Sequence, residues 1–230
     1  IQFPSGERSG KHVLTVRDLT GGYESERVFR GFSTMVGRGE KVAIVGKSGA
    51  GKTTLVRTLL QQLAPLAGTV EWGHATRVGY MSQNHHDDVP DGVRMYEWLH
   101  SQRPTADEQH VRSILGRMLF SKEDGMKKTD LLSGGERSRL LMSKLALMEY
   151  NVLFLDEPTN HLDLESITSL GEAIDRYDGT IFYVTHDRDL ASRANRLFAY
   201  DAKGKLHDFD GSIDAWLERM EEERSSGRRR

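Results

Sequence analysis

Gly46-Lys47-Ser48-Gly49-Ala50-Gly51-Lys52-Thr53, with Thr54 behind it, places glycines, a lysine and adjacent hydroxyls at the spacing G-x-x-x-x-G-K-T. At that spacing the glycines let successive backbone N–H groups converge on phosphate oxygens at a helix N-terminus. Lys52 is then expected to reach the β- and γ-phosphates, and Thr53 to hold Mg²⁺. An ordinary glycine-rich turn has the same composition. The surroundings favour the phosphate loop: a compact apolar run, Lys41–Val45, leads in, and helix-spaced apolar residues follow from Lys52 to Leu63.

Two further stretches carry chemistry. Val152-Leu153-Phe154-Leu155 is an apolar strand that ends on two carboxylates, Asp156 and Glu157. Asp156 suits a second Mg²⁺ contact through water, and Glu157 suits a base that polarises an attacking water; a solvated loop start or a helix cap is the plain alternative. Leu132-Ser133-Gly134-Gly135-Glu136 opens a helix with two glycines and a hydroxyl, which makes a second anion site. Ser133 and Glu136 also stand at the spacing of a capping box, a local role that holds in either case.

The elements that position these groups alternate. His12–Arg17 and Phe32–Val36 read as strands of an antiparallel region joined through a turn at Gly21-Gly22-Tyr23-Glu24, and Gly68–Trp72 and Arg77–Met81 as further strands. Helices are expected over Met95–Ser101, Asp107–Phe120, Ser133 to about Met148, Leu164–Ile174 and from Ser212 onward; strands over Asn151–Leu155, Thr180–Val184, Leu197–Tyr200 and Lys205–Phe209. The pattern predicts an α/β fold: a mainly parallel core sheet, an N-terminal antiparallel β region and a small helical insertion at about 84–131. Residues 1–11 read as the end of a linker from a larger parent chain, 12–211 as one domain, and 212–230 as a helix with a charged tail.

Composition limits the partners. With 32 Lys+Arg against 34 Asp+Glu, the net charge of -2 offers no global attraction to nucleic acid or an anionic membrane. There is no cysteine, hence no disulfide or thiolate metal site. No apolar run approaches the roughly 20 residues of a membrane span, and no leader pattern stands at the N-terminus, so a soluble, cytoplasmic protein is expected.

The order phosphate loop, Gln83, Leu132–Glu136, Asp156-Glu157 and His186 resembles the ATP-binding cassette (ABC) superfamily over nearly the whole chain. The resemblance implies ATP and Mg²⁺ as ligands and ATP hydrolysis as the activity. It also implies head-to-tail pairing with a second ABC domain, in the same parent chain or in a homodimer, with each ATP between the phosphate loop of one cassette and the Ser133–Glu136 counterpart of the other. By position, Tyr23 resembles the aromatic that stacks on adenine, Gln83 the residue that contacts Mg²⁺ and the water, and His186 the histidine at the γ-phosphate. Each has a plain alternative: Tyr23 packing its turn, Gln83 capping a strand, His186-Asp187 starting a helix.

Thr159-Asn160-His161-Leu162-Asp163 is similar to the ABC-F proteins, tandem-cassette ATPases that act on ribosomes. The opening from Phe3-Pro4 to Arg8-Ser9-Gly10 resembles the exit of the charged linker between their two cassettes, and Glu108–Phe120, especially Val111–Gly116, and the closing Asp210–Leu217 are similar to their second, C-terminal cassettes. The resemblance implies ribosome and tRNA as partners, no membrane, and regulation of translation by nucleotide-driven closure; the alternative is the nucleotide-binding subunit of an ABC transporter. Arg137 and Arg139 have the charge to contact RNA phosphates, although charges on an exposed helix face are ordinarily solvated. His85-His86-Asp87-Asp88 has metal donors without a spaced constellation. Trp72, Trp98 and Trp216 read as packing residues.

Overall fold

The fold is described from a computed structural model covering residues 1–4, 6–24, 26–83 and 88–227. It consists of two units, residues 1–8 with 77–179 and residues 9–76 with 180–230. The second holds the antiparallel region: β1 (His12–Tyr23) pairs with β2 (Glu26–Gly37) and with β4 (Ala67–Trp72). It also holds β3 (Lys41–Val45), parallel to β7 (Thr180–Val184) on one side and β8 (Arg196–Tyr200) on the other, with β9 (Leu206–Asp210) antiparallel to β8. β3 and β7 are buried almost end to end, which is why they read as unbroken apolar runs. Helices α1 (Lys52–Leu59), α6 (Arg188–Ser192) and α7 (Ile213–Gly227) complete it. Phe198 anchors its core edge-on to Phe32 at 5.0 Å, and Trp72 meets Phe182 at 6.5 Å while its Nε1 donates to the Leu59 carbonyl.

The other unit pairs β5 (Val78–Met81) in parallel with the fully buried β6 (Val152–Asp156). Around them stand α2 (Met95–Gln102), α3 (Glu108–Arg117), α4 (Gly134–Met148) and α5 (Leu164–Arg176), with 3-10 turns at Asp124–Met126 and Thr129–Leu131. Helices α2, α3 and α4 pack on one another through Met95, Trp98, Leu99, Val111, Ile114, Leu140 and Leu141, all buried. The parallel pairings, the antiparallel region and the helices are those of the expected α/β fold.

Three local expectations differ from what forms. Gly21-Gly22 is not a turn; β1 runs on to Tyr23 and β2 starts at Glu26. The glycines serve close approach instead: a Cβ on Gly21 would enter the Phe29 ring, and one on Gly22 would strike the Glu26 carbonyl. Helix α1 stops at Leu59, because Gln61 adopts a left-handed φ of 58° and the amides of Gln62 and Leu63 fold back to the Arg57 carbonyl.

The third is Arg137, which does not lie on a solvated face. Its side chain is buried, with Nη1 donating to the Val89 carbonyl at 3.1 Å and Nη2 to the Thr129 carbonyl at 3.0 Å and to Asp91 at 2.9 Å. The guanidinium ties α4 to the loop that precedes α2. Arg137→Met is expected to lower stability by about 3 kcal/mol, since it strands two buried carbonyls. Chemical denaturation measures this, and an unchanged midpoint would contradict it.

Candidate functional site

In the unit that carries the phosphate loop, parallel register fixes what stands together. Ile44 of β3 faces Val184 of β7, so the chain enters the loop at Gly46 beside the point where it leaves β7 for Thr185 and His186. Lys47, Ser48, Gly49 and Thr53 are exposed, whereas Lys52 is 7% exposed and folds back so that its ammonium donates to the carbonyls of Gly46 and Lys47, each at 3.0 Å. Thr54 is buried. The N-cap of α1 is Gly51 at φ 104°; no side chain caps the helix and no acid stands in its first turn. A positive helix end with no acid in its first turn, beside a lysine, suits a polyphosphate. Tyr23 ends β1 in the same unit, 45% exposed. His186 is exposed, while Asp187 caps α6 by accepting from the Leu190 amide at 3.0 Å.

In the other unit Met81 of β5 faces Leu155 of β6, so Gln83 and the pair Asp156-Glu157 follow the same, C-terminal ends of neighbouring strands. Asp156 is 1% exposed and Glu157 is 7% exposed with a left-handed φ of 52°. Such a conformation on a non-glycine residue is a strained one, of the kind that collects at functional sites. The chain turns sharply after it: the Asn160 amide donates to the Glu157 carbonyl, His161 is again left-handed at φ 66°, and Asp163 caps α5 through the Ser166 amide at 2.7 Å. That bond from Ser166 holds the Asp163 carboxyl below its ordinary pKa.

The same unit carries the second helix start. The capping box of α4 forms as expected, with Ser133 Oγ accepting from the Glu136 amide and Glu136 Oε2 accepting from the Ser133 amide at 2.8 Å. Ser133 and Gly134 are exposed. A Cβ on Gly134 would lie 3.0 Å from the His161 Cβ, and one on Gly135 would lie 2.6 Å from the His161 carbonyl oxygen. The bare helix start is thus packed against the turn that follows Glu157. Among the described residues no group of three His, Cys, Asp or Glu could hold a metal ion; His85, His86 and Asp87 lie outside the described residues.

A family model described as "ABC transporter" matches residues 29–160, more than half of the chain. The chain belongs to the ABC family. ABC domains bind ATP with Mg²⁺, hydrolyse it and work as pairs. Hard oxygen donors are what Mg²⁺ takes, and the Thr53 hydroxyl and the Asp156 carboxylate are of that kind. The ABC domain is 40% identical over 94% of its length to "Probable ATP-binding protein YbiT" of Escherichia coli O157:H7, covering 41% of that protein. It is 38% identical over 97% of its length to "Putative ATP-binding protein YdiF" of Bacillus subtilis, covering 35%. It is 34% identical over 95% of its length to "ABC transporter F family member 5" of Arabidopsis thaliana, covering 32%. The chain therefore spans less than half the length of these relatives. In fold it is similar to cbiO1 of Clostridium perfringens, with TM-score 0.75 at 22% identity over 92% of this chain and 93% of that one.

Two contacts in the ABC domain had no signal in the sequence. Tyr200, at the end of β8, donates its hydroxyl to the Gly51 carbonyl at 3.1 Å, and its Cβ would lie 2.9 Å from a Cβ on Gly46. Burial pushes the Tyr200 hydroxyl well above its ordinary pKa, so it stays a donor. Lys127 bonds Glu136 Oε1 at 2.7 Å from the loop before α4. The first contact arises only because β8 pairs with β3, and the second because the chain folds back over nine positions. The loop's shape depends on Gly51: a Cβ there would be strained at φ 104° and would run into Val28 Cγ1. Gly51→Ala is expected to weaken nucleotide binding by at least about tenfold. Titration with a fluorescent ATP analogue checks this, and wild-type affinity would refute it.

Proposed function

We propose that this ABC domain is one of the two cassettes of an ABC-F protein, the second along the parent chain, and that ATP closes the pair on the ribosome until hydrolysis reopens it. The observation that carries this reading is the segment Thr159-Asn160-His161-Leu162-Asp163, which follows the strained Glu157 and resembles that of the ABC-F proteins. It is supported by the 34% identity to proteins named ABC transporter F family members 5 and 2 of Arabidopsis thaliana. Among the described residues no helix is long and apolar enough to cross a membrane.

In this reading Lys52 takes the β- and γ-phosphates, with Gly46 to Gly51 supplying amides and Thr54 supporting the loop. Tyr23 stacks on adenine. Thr53, Asp156 and Gln83 would hold Mg²⁺, whose charge would offset that of the phosphates. Glu157 polarises the attacking water, and Gln83 and His186 orient the water and the γ-phosphate. Ser133, Gly134 and Gly135 contact the γ-phosphate held by the partner cassette, so only ATP, not ADP, favours closure. The protein works in the cytoplasm, near peptidyl-tRNA.

Sedimentation of the full-length protein with ribosomes tests the proposal. Glu157→Gln is expected to slow ATP turnover by about 10²-fold or more and to accumulate on ribosomes with ATP but not with ADP. Lys52→Ala is expected to lose ATP binding and the sedimentation together. Undiminished turnover in Glu157→Gln, or ribosome binding indifferent to nucleotide, would overturn the proposal; co-purification with a membrane-embedded subunit would favour a transporter's nucleotide-binding subunit instead.

A further inference from the structure

The start of α4 contains a conflict of charge. Glu136 stands at its third position, and its carboxylate accepts the Ser133 amide at 2.8 Å, which places a negative group in the same turn as the exposed Ser133 and Gly134. A carboxylate there satisfies the helix dipole by itself. It also repels any phosphate brought to the same amides, and the repulsion grows as closure removes water.

Lys127 answers that carboxylate. Its Nζ lies 2.7 Å from Glu136 Oε1, on the oxygen that the Ser133 amide does not use. The lysine's backbone is held on both sides, its amide donating to the Asp124 carbonyl at 2.9 Å and its carbonyl accepting from the Met95 amide at 3.0 Å, so the ammonium projects from a fixed point. The hydrogen bond to Glu136 raises the Lys127 pKa. Burial pushes the Glu136 carboxyl up, but the bonds from Lys127 and Ser133 outweigh it and leave the pKa lowered. Both groups are therefore charged at neutral pH. Asp124 and Arg139, the other charges acting on Lys127, oppose one another in sign.

We propose that Lys127 is a positioning residue for ATP hydrolysis: it masks the charge of Glu136, so that the capping box which shapes Ser133–Gly135 can coexist with a triphosphate in front of it. The proposal rests on the reading of this helix start as the partner cassette's γ-phosphate site. A pair that merely stabilised the surface would contribute to melting temperature and nothing else.

Steady-state ATPase of the full-length protein in its paired form distinguishes the two. Lys127→Met is expected to raise KM for ATP by about fivefold, the scale of one charge at a helix end, with kcat and melting temperature nearly unchanged. Lys127→Arg should keep the wild-type KM. In a Glu136→Gln background, Lys127→Met should leave KM where Glu136→Gln alone puts it, because the charge to be masked is gone. A Lys127→Met that raises KM as much in the Glu136→Gln background as in the wild type, or whose only change is a lower melting temperature, would overturn the charge mask. Ser133→Ala separates this from the underlying reading: if Ser133→Ala raises KM and Lys127→Met does not, the mask alone fails, and if neither moves KM, the γ-phosphate site itself fails.

Discussion

The structure is organised around a helix end that has neither a side-chain cap nor an acid in its first turn. Helices α3, α4, α5 and α6 each begin with a side chain that accepts a backbone amide, from Asp107, Ser133, Asp163 and Asp187. Helix α1 begins with Gly51 in a left-handed conformation and no side-chain acceptor at all. Forgoing a cap costs about 1 kcal/mol. An anion can supply what the side chain does not, and its binding then stabilises the fold by mass action. Much of the surrounding structure makes that end tenable: Lys52 tied to two loop carbonyls, Tyr200 bonded to Gly51, and Thr54 buried.

Helix α4 solves the same problem in the opposite way. Its first amides are organised by a full capping box, and its glycines are required by the approach of His161 as much as by any ligand. An anion meeting this end finds a preformed shape, whereas the loop at α1 takes its shape from positive-φ glycines at 46, 49 and 51. Preformed shape lowers the ordering cost of a contact made only on closure.

What was legible in the sequence follows from this physics. Buried parallel strands have no packing use for carboxylates, so Asp156-Glu157 stood out at the end of β6, and the glycine spacing of the phosphate loop has few other uses. The hairpin was misread because Gly21-Gly22 has the composition of a turn, while its actual reason, the Phe29 ring and the Glu26 carbonyl, is a cross-strand contact. Arg137 looked solvated because a helix pattern says nothing of acceptors at Val89 and Asp91, far off in sequence. Tyr200 and Lys127 were invisible for the same reason: each is defined by where the chain returns, not by its neighbours.

The turn from Glu157 to Asp163 changes how substitutions here must be interpreted. It holds two left-handed non-glycine residues, and its His161 carbonyl oxygen lies 2.6 Å from where a Cβ on Gly135 would be. A substitution at Gly135 therefore acts twice, on the amides at the start of α4 and on the backbone that orients Glu157. Loss of activity at Gly135 cannot by itself be assigned to lost phosphate contact. The separation comes from comparing affinity with turnover: damage confined to the helix end moves the nucleotide dependence, and damage relayed through His161 to Glu157 moves the hydrolytic step with affinity intact. Because one packed segment joins the two, the start of α4 and the carboxylate at the end of β6 are not independent parts, and strain at Glu157 is supported from the side of α4.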